Sequence, residues 1–407
     1  MTSLRSFADV CNELDNRRQV TLGFERIEAL LDLLNHPERN LRVVQVVGTN
    51  GKGTTAVSLA AALEFAGYSS GVYLSPHVLS YVERIMIRGR FVSEGDFANA
   101  MGEVLDDADE NGVAASQFEL LTAGAIAFFR NRELFWAILE AGLGARHDAT
   151  TAAKPEAVVL TNVGLEHTEY LGDTIEEIAG EKLASVPAGG ALILGSDDAR
   201  VVELARSECE RLGVRLVEVG EKSNVGGSVS YTAKNVALGI RAAEVLLGRK
   251  FDPKAKDFVA DRVVGVLPAR FERHEVRGVP VVVDGGHNPD GLRAALRALR
   301  ELYGDRELGV VFGALRDKDI GSMLTALKNE ASYLVLTRPE NERAAEPEVI
   351  WGEFDPLDRH ERSAIIVKDA GEALERCVEE MSRSGGVVLV TGSLYTAAGV
   401  LGSLRES

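Results

Sequence analysis

Apolar residues along this chain gather into short β-rich runs separated by stretches that favour helix. In the first two thirds the runs are Val43–Val47, Gly71–Leu74, Trp136–Leu139, Val158–Thr161 and Leu192–Leu194. Thr54–Ala66, reading TTAVSLAAALEFA, is a strong helix former that stops at Gly67. A second set follows Pro268: Val279–Gly286, Leu308–Leu315, Tyr333–Thr337 and Gly386–Ser393, each with a helix candidate before the next. Runs that are apolar throughout imply strands covered on both faces, and strands alternating with helices imply parallel pairing. The pattern predicts an α/β protein with a doubly wound N-terminal domain over residues 1–266. A smaller α/β domain with its own sheet is expected over residues 267–407. The break is expected in Val263–Glu272, VVGVLPARFE, where proline interrupts the pattern.

Composition narrows the class. A chain of 407 residues is too long for one ordinary core, in keeping with two domains. A formal charge of -17 argues against a general nucleic-acid or anionic-membrane binder, so an anionic substrate needs local basic residues. Three cysteines, Cys11, Cys209 and Cys377, are far apart and in no metal spacing, and read as reduced thiols of a cytoplasmic protein. Charged residues interrupt every long apolar run, which predicts no membrane span.

The chemistry gathers first at VVQVVGTNGKGTT, Val43–Thr55. In the common P-loop the hydroxyl residue follows the lysine directly, whereas here Gly53 separates Lys52 from Thr54. The context is nevertheless that of a phosphate cradle, a strand before and a helix after. Gly48, Gly51 and Gly53 let backbone N–H groups face an anion, and the positive end of the helix faces the same point. Lys52 can neutralise outer phosphates, and Thr54 or Thr55 can meet magnesium. The plainer alternative is a glycine-rich turn with a solvated lysine, which fits a run with lysine and hydroxyls in register less well.

Three polar residues stand at or near the carboxyl ends of predicted strands, where open α/β sheets collect ligands. Ser75 follows GVYL, Glu140 follows WAIL, and His167 comes six residues after VVLT. Serine and glutamate oxygens suit magnesium, and histidine is a less usual ligand for it. Taken singly, the three also fit a turn residue, a surface carboxylate and a polar loop residue.

The loop GTNGKGTT resembles the variant phosphate loop of the Mur-type ATP-dependent amide ligases, in the folylpolyglutamate synthase/dihydrofolate synthase branch. Glycine between the lysine and the hydroxyl is that branch's habit. LGFERIEALLDLL, YLSPHV, YVERI, QFELLTAGAIAFF, LEAGLGARHDAT, TNVGLEHTEYLGDTIEEIAGEK, DGGHNPDG, GALRDKDI and TGSLY follow in family order, so the resemblance covers about the whole chain.

It implies a Mur-ligase-like fold with a P-loop-type first domain and a Rossmann-like second one. ATP would bridge the two domains. Asn50, Gly51, Lys52, Gly53 and Thr54 would hold its phosphates, with Asn235 at the adenine, Arg270 at a phosphate and Asp284 at the ribose. Ser75, Glu140, His167 and Thr54 would serve two magnesium ions. Lys182, which alone reads as a solvated helix lysine, would be carbamylated and become a further ligand. His287 would lie near the acyl-transfer centre, or be a loop histidine bonded to Asp284.

The implied reaction adds L-glutamate to dihydropteroate, to reduced folates, or to both, through an acyl phosphate, in a monomer. Arg84, Phe118, Glu119, His147, Asp148 and Ala149 fall on the substrate side. The chain departs from the family there: GARHDATT stands for Gly-Gly-Arg-Leu-Asp-Ala-Thr-Asn, and Val82 for the usual Asn before Glu-Arg-Ile. Glu166 stands for the Asp before the metal histidine, and LASVPAGG follows Lys182. The ligase chemistry is therefore firmer than the folate, and a Mur-type ligase for another carboxylate is the alternative.

Overall fold

The structure is a computed structural model that describes residues 5–220, 230–353 and 363–406. The chain divides into two compact units, the first ending at Val266 and the second starting at Leu267.

The first unit holds β1 (Arg42–Val47), β2 (Ser70–Tyr73), β3 (Ile85–Ile87), β4 (Arg90–Phe91), β5 (Trp136–Glu140), β6 (Ala157–Leu160), β7 (Ala191–Leu194) and β8 (Arg215–Glu218). They form one sheet in the order β4-β3-β2-β5-β1-β6-β7-β8. Pairing from β2 to β8 is parallel, while β3 and β4 run antiparallel at the edge. Helices Phe7–Asp15, Glu25–Leu33, Glu94–Glu110 and Gln117–Asn131 contribute to one apolar cluster with the sheet. Helices Ile175–Leu183 and Ala199–Leu212 contribute to another, around Val158, Leu160, Leu192 and Leu194. Cover on both sides is why the central strands carry unbroken apolar runs.

Register positions the chemistry. Val46 pairs with Glu140, Tyr73 with Leu139, and Val47 with Leu160. The four strands are parallel, so the residues that leave them, Gly48, Leu74, Ala141 and Thr161, emerge on one edge of the sheet. In open α/β sheets that carboxyl edge is where ligands bind.

The second unit has its own sheet of β9 (Glu272–Val276), β10 (Val279–Val283), β11 (Leu308–Phe312), β12 (Tyr333–Leu336), β13 (Ser363–Ile366) and β14 (Val387–Thr391), ordered β13-β12-β11-β14-β10-β9. All pairs are parallel except β9 with β10. Val263 ends the helix Pro253–Val263 and Glu272 begins β9, so the proline-interrupted segment joins a helix to an edge strand.

Candidate active site

Residues 48–51 link β1 to the helix Lys52–Phe65. Gly48 has φ +143°, and a Cβ there would lie 1.9 Å from Thr161 Oγ1. Gly51 has φ +80°, and a Cβ there would lie 2.4 Å from the side-chain amide of Asn235. Both positions therefore demand glycine on conformation and on space. Thr161 and Asn162, which leave β6, pin the loop. Thr161 Oγ1 and Asn162 Nδ2 donate to the Asn50 carbonyl at 2.7 and 3.1 Å, and Asn162 Oδ1 accepts from Asn50 N at 2.9 Å. Neither was singled out from the sequence, although TNV at a strand end offered the donors. Gly51 stands at the N-cap of this helix and supplies no side-chain cap, which leaves the first N–H groups for an anion. Gly53 and Thr54 are buried in its first turn.

Two lysines converge on this loop. Lys52 Nζ donates to the carbonyls of Gly48 at 3.0 Å and Thr49 at 3.1 Å. Lys182, on the helix Ile175–Leu183, is 1% exposed and donates to the same Gly48 carbonyl at 3.1 Å and to Glu166 Oε1 at 2.8 Å. Burial pushes the Lys182 pKa down, with Lys52 adding to that and Glu166 opposing it. Burial pushes Glu166 up, but the charges of Lys182 and Lys52 more than offset it and hold the carboxyl at about 2. His167 beside it is exposed, with φ +48°, at the head of the short helix Thr168–Leu171.

At the ends of β2 and β5, Glu140 is buried and its Oε2 accepts from Ser75 N at 3.0 Å. Ser75 Oγ accepts from the Arg84 guanidinium at 2.9 Å, and Arg84 Nε donates to His77 Nδ1 at 2.9 Å. Among the described residues no three His, Cys, Asp or Glu side chains converge as a metal cage. Magnesium does not require one: it keeps waters and takes one or two carboxylates beside phosphate oxygens. The Glu140 carboxylate and the Ser75 and Thr54 hydroxyls are hard oxygen donors on the phosphate-loop edge of the sheet, and they fit that ion.

The substrate-side candidates gather elsewhere in the same unit. Phe118, Glu119, His147, Asp148 and Ala149 line a cavity of about 200 Å³, together with the segment Arg18–Gly23 and Gly142. Arg84 is not among its lining residues; it lies against Ser75 and His77. The Phe118 ring sits 5.9 Å from that of Tyr73 and directly against Gly142, where an added Cβ would approach it to 2.8 Å. Glu119 accepts from Ser116 N and Oγ at 2.8 and 2.7 Å, and from Arg26 Nε at 3.1 Å, so its carboxylate is tied to the wall. Asp148 Oδ2 accepts from the N–H groups of Gly142 and Leu143 at 2.9 and 3.0 Å, and burial raises its pKa against those bonds. The exposed His147 ring lies 6.1 Å from Phe24.

In the second unit Asp284 is fully buried just past β10. Its two oxygens accept from Phe271 N and Gly286 N, each at 2.9 Å. Arg270 sits between Ala269 and Phe271, both in left-handed backbone at φ +53° and +52°, and is partly exposed. His287 Nδ1 bonds the Gly285 carbonyl at 3.0 Å, and Asn288 caps the helix Pro289–Tyr303.

A family model for the Mur ligase middle domain matches residues 46–243, and one for the Mur ligase glutamate ligase domain matches 269–394. The dihydrofolate synthase/folylpolyglutamate synthase of Mycobacterium tuberculosis is 30% identical, over 97% of this chain and 93% of that protein. The solved Mycobacterium tuberculosis folylpolyglutamate synthase complexed with ADP is similar at a TM-score of 0.88 and 27% identity, covering 98% of each chain. A bifunctional folylpolyglutamate synthase/dihydrofolate synthase solved with Mn, AMPPNP and L-glutamate bound gives 0.82 and 25%, again over 98% of each chain. The glycine-rich loop after β1 thus lies within one matched domain and Asp284 within the other, and the likeness runs nearly end to end. The chain belongs to the folylpolyglutamate synthase/dihydrofolate synthase family of Mur-type, ATP-dependent amide ligases.

Proposed function

We propose that the chain uses ATP to join L-glutamate to a folate-type carboxylate, dihydropteroate or a reduced folate. The observation that carries the ATP half is the pair of ammonium groups on one carbonyl at the uncapped head of a helix. A polyphosphate relieves that excess of positive charge. The relatives' printed names, and the ADP, AMPPNP and L-glutamate of the solved neighbours, support the reading.

An acceptor carboxylate oxygen attacks the γ-phosphorus, the bond from γ-phosphorus to its bridging oxygen breaks, and ADP leaves behind an acyl phosphate. The amine of glutamate, freed of its proton, attacks the acyl carbon, and inorganic phosphate leaves. Lys52 exchanges its bonds to the loop carbonyls for bonds to phosphate oxygens. The N–H groups of Gly51, Gly53 and Thr54 cradle the same oxygens, Asn50 holds the loop in place through its bonds to Asn162, and Asn235 lies over Gly51 for the nucleoside. Arg270 is assigned to a phosphate, Asp284 to a ribose hydroxyl and His287 to the proton of the amine. Glu140, Ser75, Thr54 and His167, with Lys182 if carbamylated, are the residues to hold two magnesium ions, which offset charge on the phosphate oxygens when bound.

The cavity beside Phe118 is assigned to the acceptor. A flat ring can lie on the Phe118 face, with the exposed His147 at its polar edge and Asp148 and Ala149 in the wall behind. Arg84, buried and in no ion pair among the described residues, is assigned to an acceptor carboxylate. All these roles fall to one chain, so we assign a monomer, and the three unpaired cysteines suit a cytoplasmic protein.

The test is ADP release with magnesium, L-glutamate and, separately, dihydropteroate or tetrahydrofolate. Turnover that requires both glutamate and one of these acceptors is expected. ATP binding without release in either mixture would overturn the folate assignment.

A further inference from the structure

We propose that Gln45 is a positioning residue that locks the floor of the acceptor cavity to the strand carrying the phosphate loop. Gln45 lies in the middle of β1, three residues before Gly48, and is fully buried among valines. A polar amide in such a strand is costly unless it bonds. Its Nε2 donates to Thr150 Oγ1 at 2.7 Å and to Thr151 Oγ1 at 2.8 Å. Each hydroxyl then passes its own hydrogen onward. Thr150 donates to Asp148 Oδ1, and Thr151 donates to the Ala145 carbonyl at 2.7 Å. Asp148 completes the chain by accepting from the N–H groups of Gly142 and Leu143, which line the cavity.

Both branches run outward from the amide and end on acceptors, the Ala145 carbonyl on one and the Asp148 carboxylate on the other, and the Gly142 and Leu143 N–H groups donate to Asp148 from the cavity side. Both N–H bonds of the amide are used in this series, while Gln45 Oε1 is buried with no partner. An orphaned carbonyl is a cost that an apolar residue would avoid, so the two donated bonds are what the amide supplies. The series also accounts for a departure in the sequence. Thr151 stands where the resemblance leads one to expect asparagine, and its hydroxyl serves Gln45 and Ala145 at once.

The inference rests on the assignment of the cavity to the acceptor, and the test separates the two. Steady-state constants are compared for Gln45→Leu, Thr150→Val, Thr150→Ser and Phe118→Ala, with ADP affinity and thermal midpoint as controls of the fold. Gln45→Leu and Thr150→Val should each raise the acceptor KM about tenfold with the ATP KM held within about twofold. Thr150→Ser, which keeps the hydroxyl, should restore parental values. Should Gln45→Leu not fold, the milder Thr151→Val, which removes one of its two acceptors, takes its place with the same expectation. If Phe118→Ala raises the acceptor KM and the relay variants do not, the cavity assignment stands and the role of Gln45 falls. If none of the variants moves it, both fall. A parallel rise in the ATP KM would make Gln45 a general support of the fold and would also overturn the proposal.

Discussion

Lys52 and Lys182 donate to one acceptor, the carbonyl of Gly48, at 3.0 and 3.1 Å. Two ammonium groups on one oxygen repel each other, and Glu166 is bonded to Lys182. The loop is thus held in a form that gains from an incoming anion. Lys52→Met keeps the apolar stem and removes one charge. It should fold with an unchanged thermal midpoint, because a repulsion is relieved, and bind ATP about 100-fold more weakly by titration calorimetry. An affinity within about threefold of the parent would sink the role given to Lys52.

The Lys182–Glu166 pair is itself buried, with side chains 2% and 8% exposed. Removing one partner of such a pair strands the other charge, at a cost of about 3–5 kcal/mol. Glu166→Gln should lower the unfolding free energy in urea by about 3 kcal/mol, and Lys182→Met in the same chain should recover most of it. A loss below about 0.5 kcal/mol in the single variant would show that solvent already screens the pair. The same bond governs modification. Burial pushes the Lys182 amine toward the neutral nucleophile that carbon dioxide requires and the bond to Glu166 opposes this, so Glu166→Gln should show a stronger carbamate resonance with ¹³C-labelled bicarbonate than the parent.

Gly142 lies against the Phe118 ring, and its backbone does not require glycine, so Gly142→Ala isolates the effect of space. The new Cβ would approach Phe118 Cζ to 2.8 Å, which forces the ring to shift beside the cavity that both residues line. The acceptor KM should rise by about fivefold to tenfold while the ATP KM holds. An unchanged acceptor KM would mean that the ring moves away without narrowing the acceptor's seat.

The parallel strands were legible because burial on both faces demands unbroken apolar runs such as VVQVV and WAIL. The edge strands were not. Glu272–Val276 reads ERHEV, alternating partly buried with exposed positions, and Ile85–Ile87 with Arg90–Phe91 is too short to show a period. The turn from β1 into the helix Lys52–Phe65 was legible because glycines between an apolar run and a strong helix former mark one. The supports of the site were not, because Thr161, Asn162, Thr150 and Gln45 act through contacts distant in sequence. Gln45 did carry a signal, a lone amide inside a valine strand, whose partners only the fold supplies.

His77 gives the pH dependence. Its Nδ1 accepts from Arg84 Nε at 2.9 Å, so a proton there would set N–H against N–H. Burial first, then the charges of Arg84 and Arg18, push its pKa from 6.5 down to about 3. The Tyr81 ring covers it at 4.2 Å, with the Tyr81 hydroxyl bonded to Asp15. The folded state therefore binds this proton more weakly than the unfolded chain, which takes it up first as the pH falls. The contribution to stability is whole above about pH 7, declines below 6.5 and is gone near 3, a change of up to about 5 kcal/mol. Urea titrations of the metal-free protein between about pH 7 and 4 should show that decline. His77→Gln, whose amide oxygen can accept from Arg84 without titrating, should flatten it by about half or more. A variant that loses as much stability as the parent over this range would show that the ring takes up its proton inside the fold, and the acid sensitivity would then belong to the carboxylates.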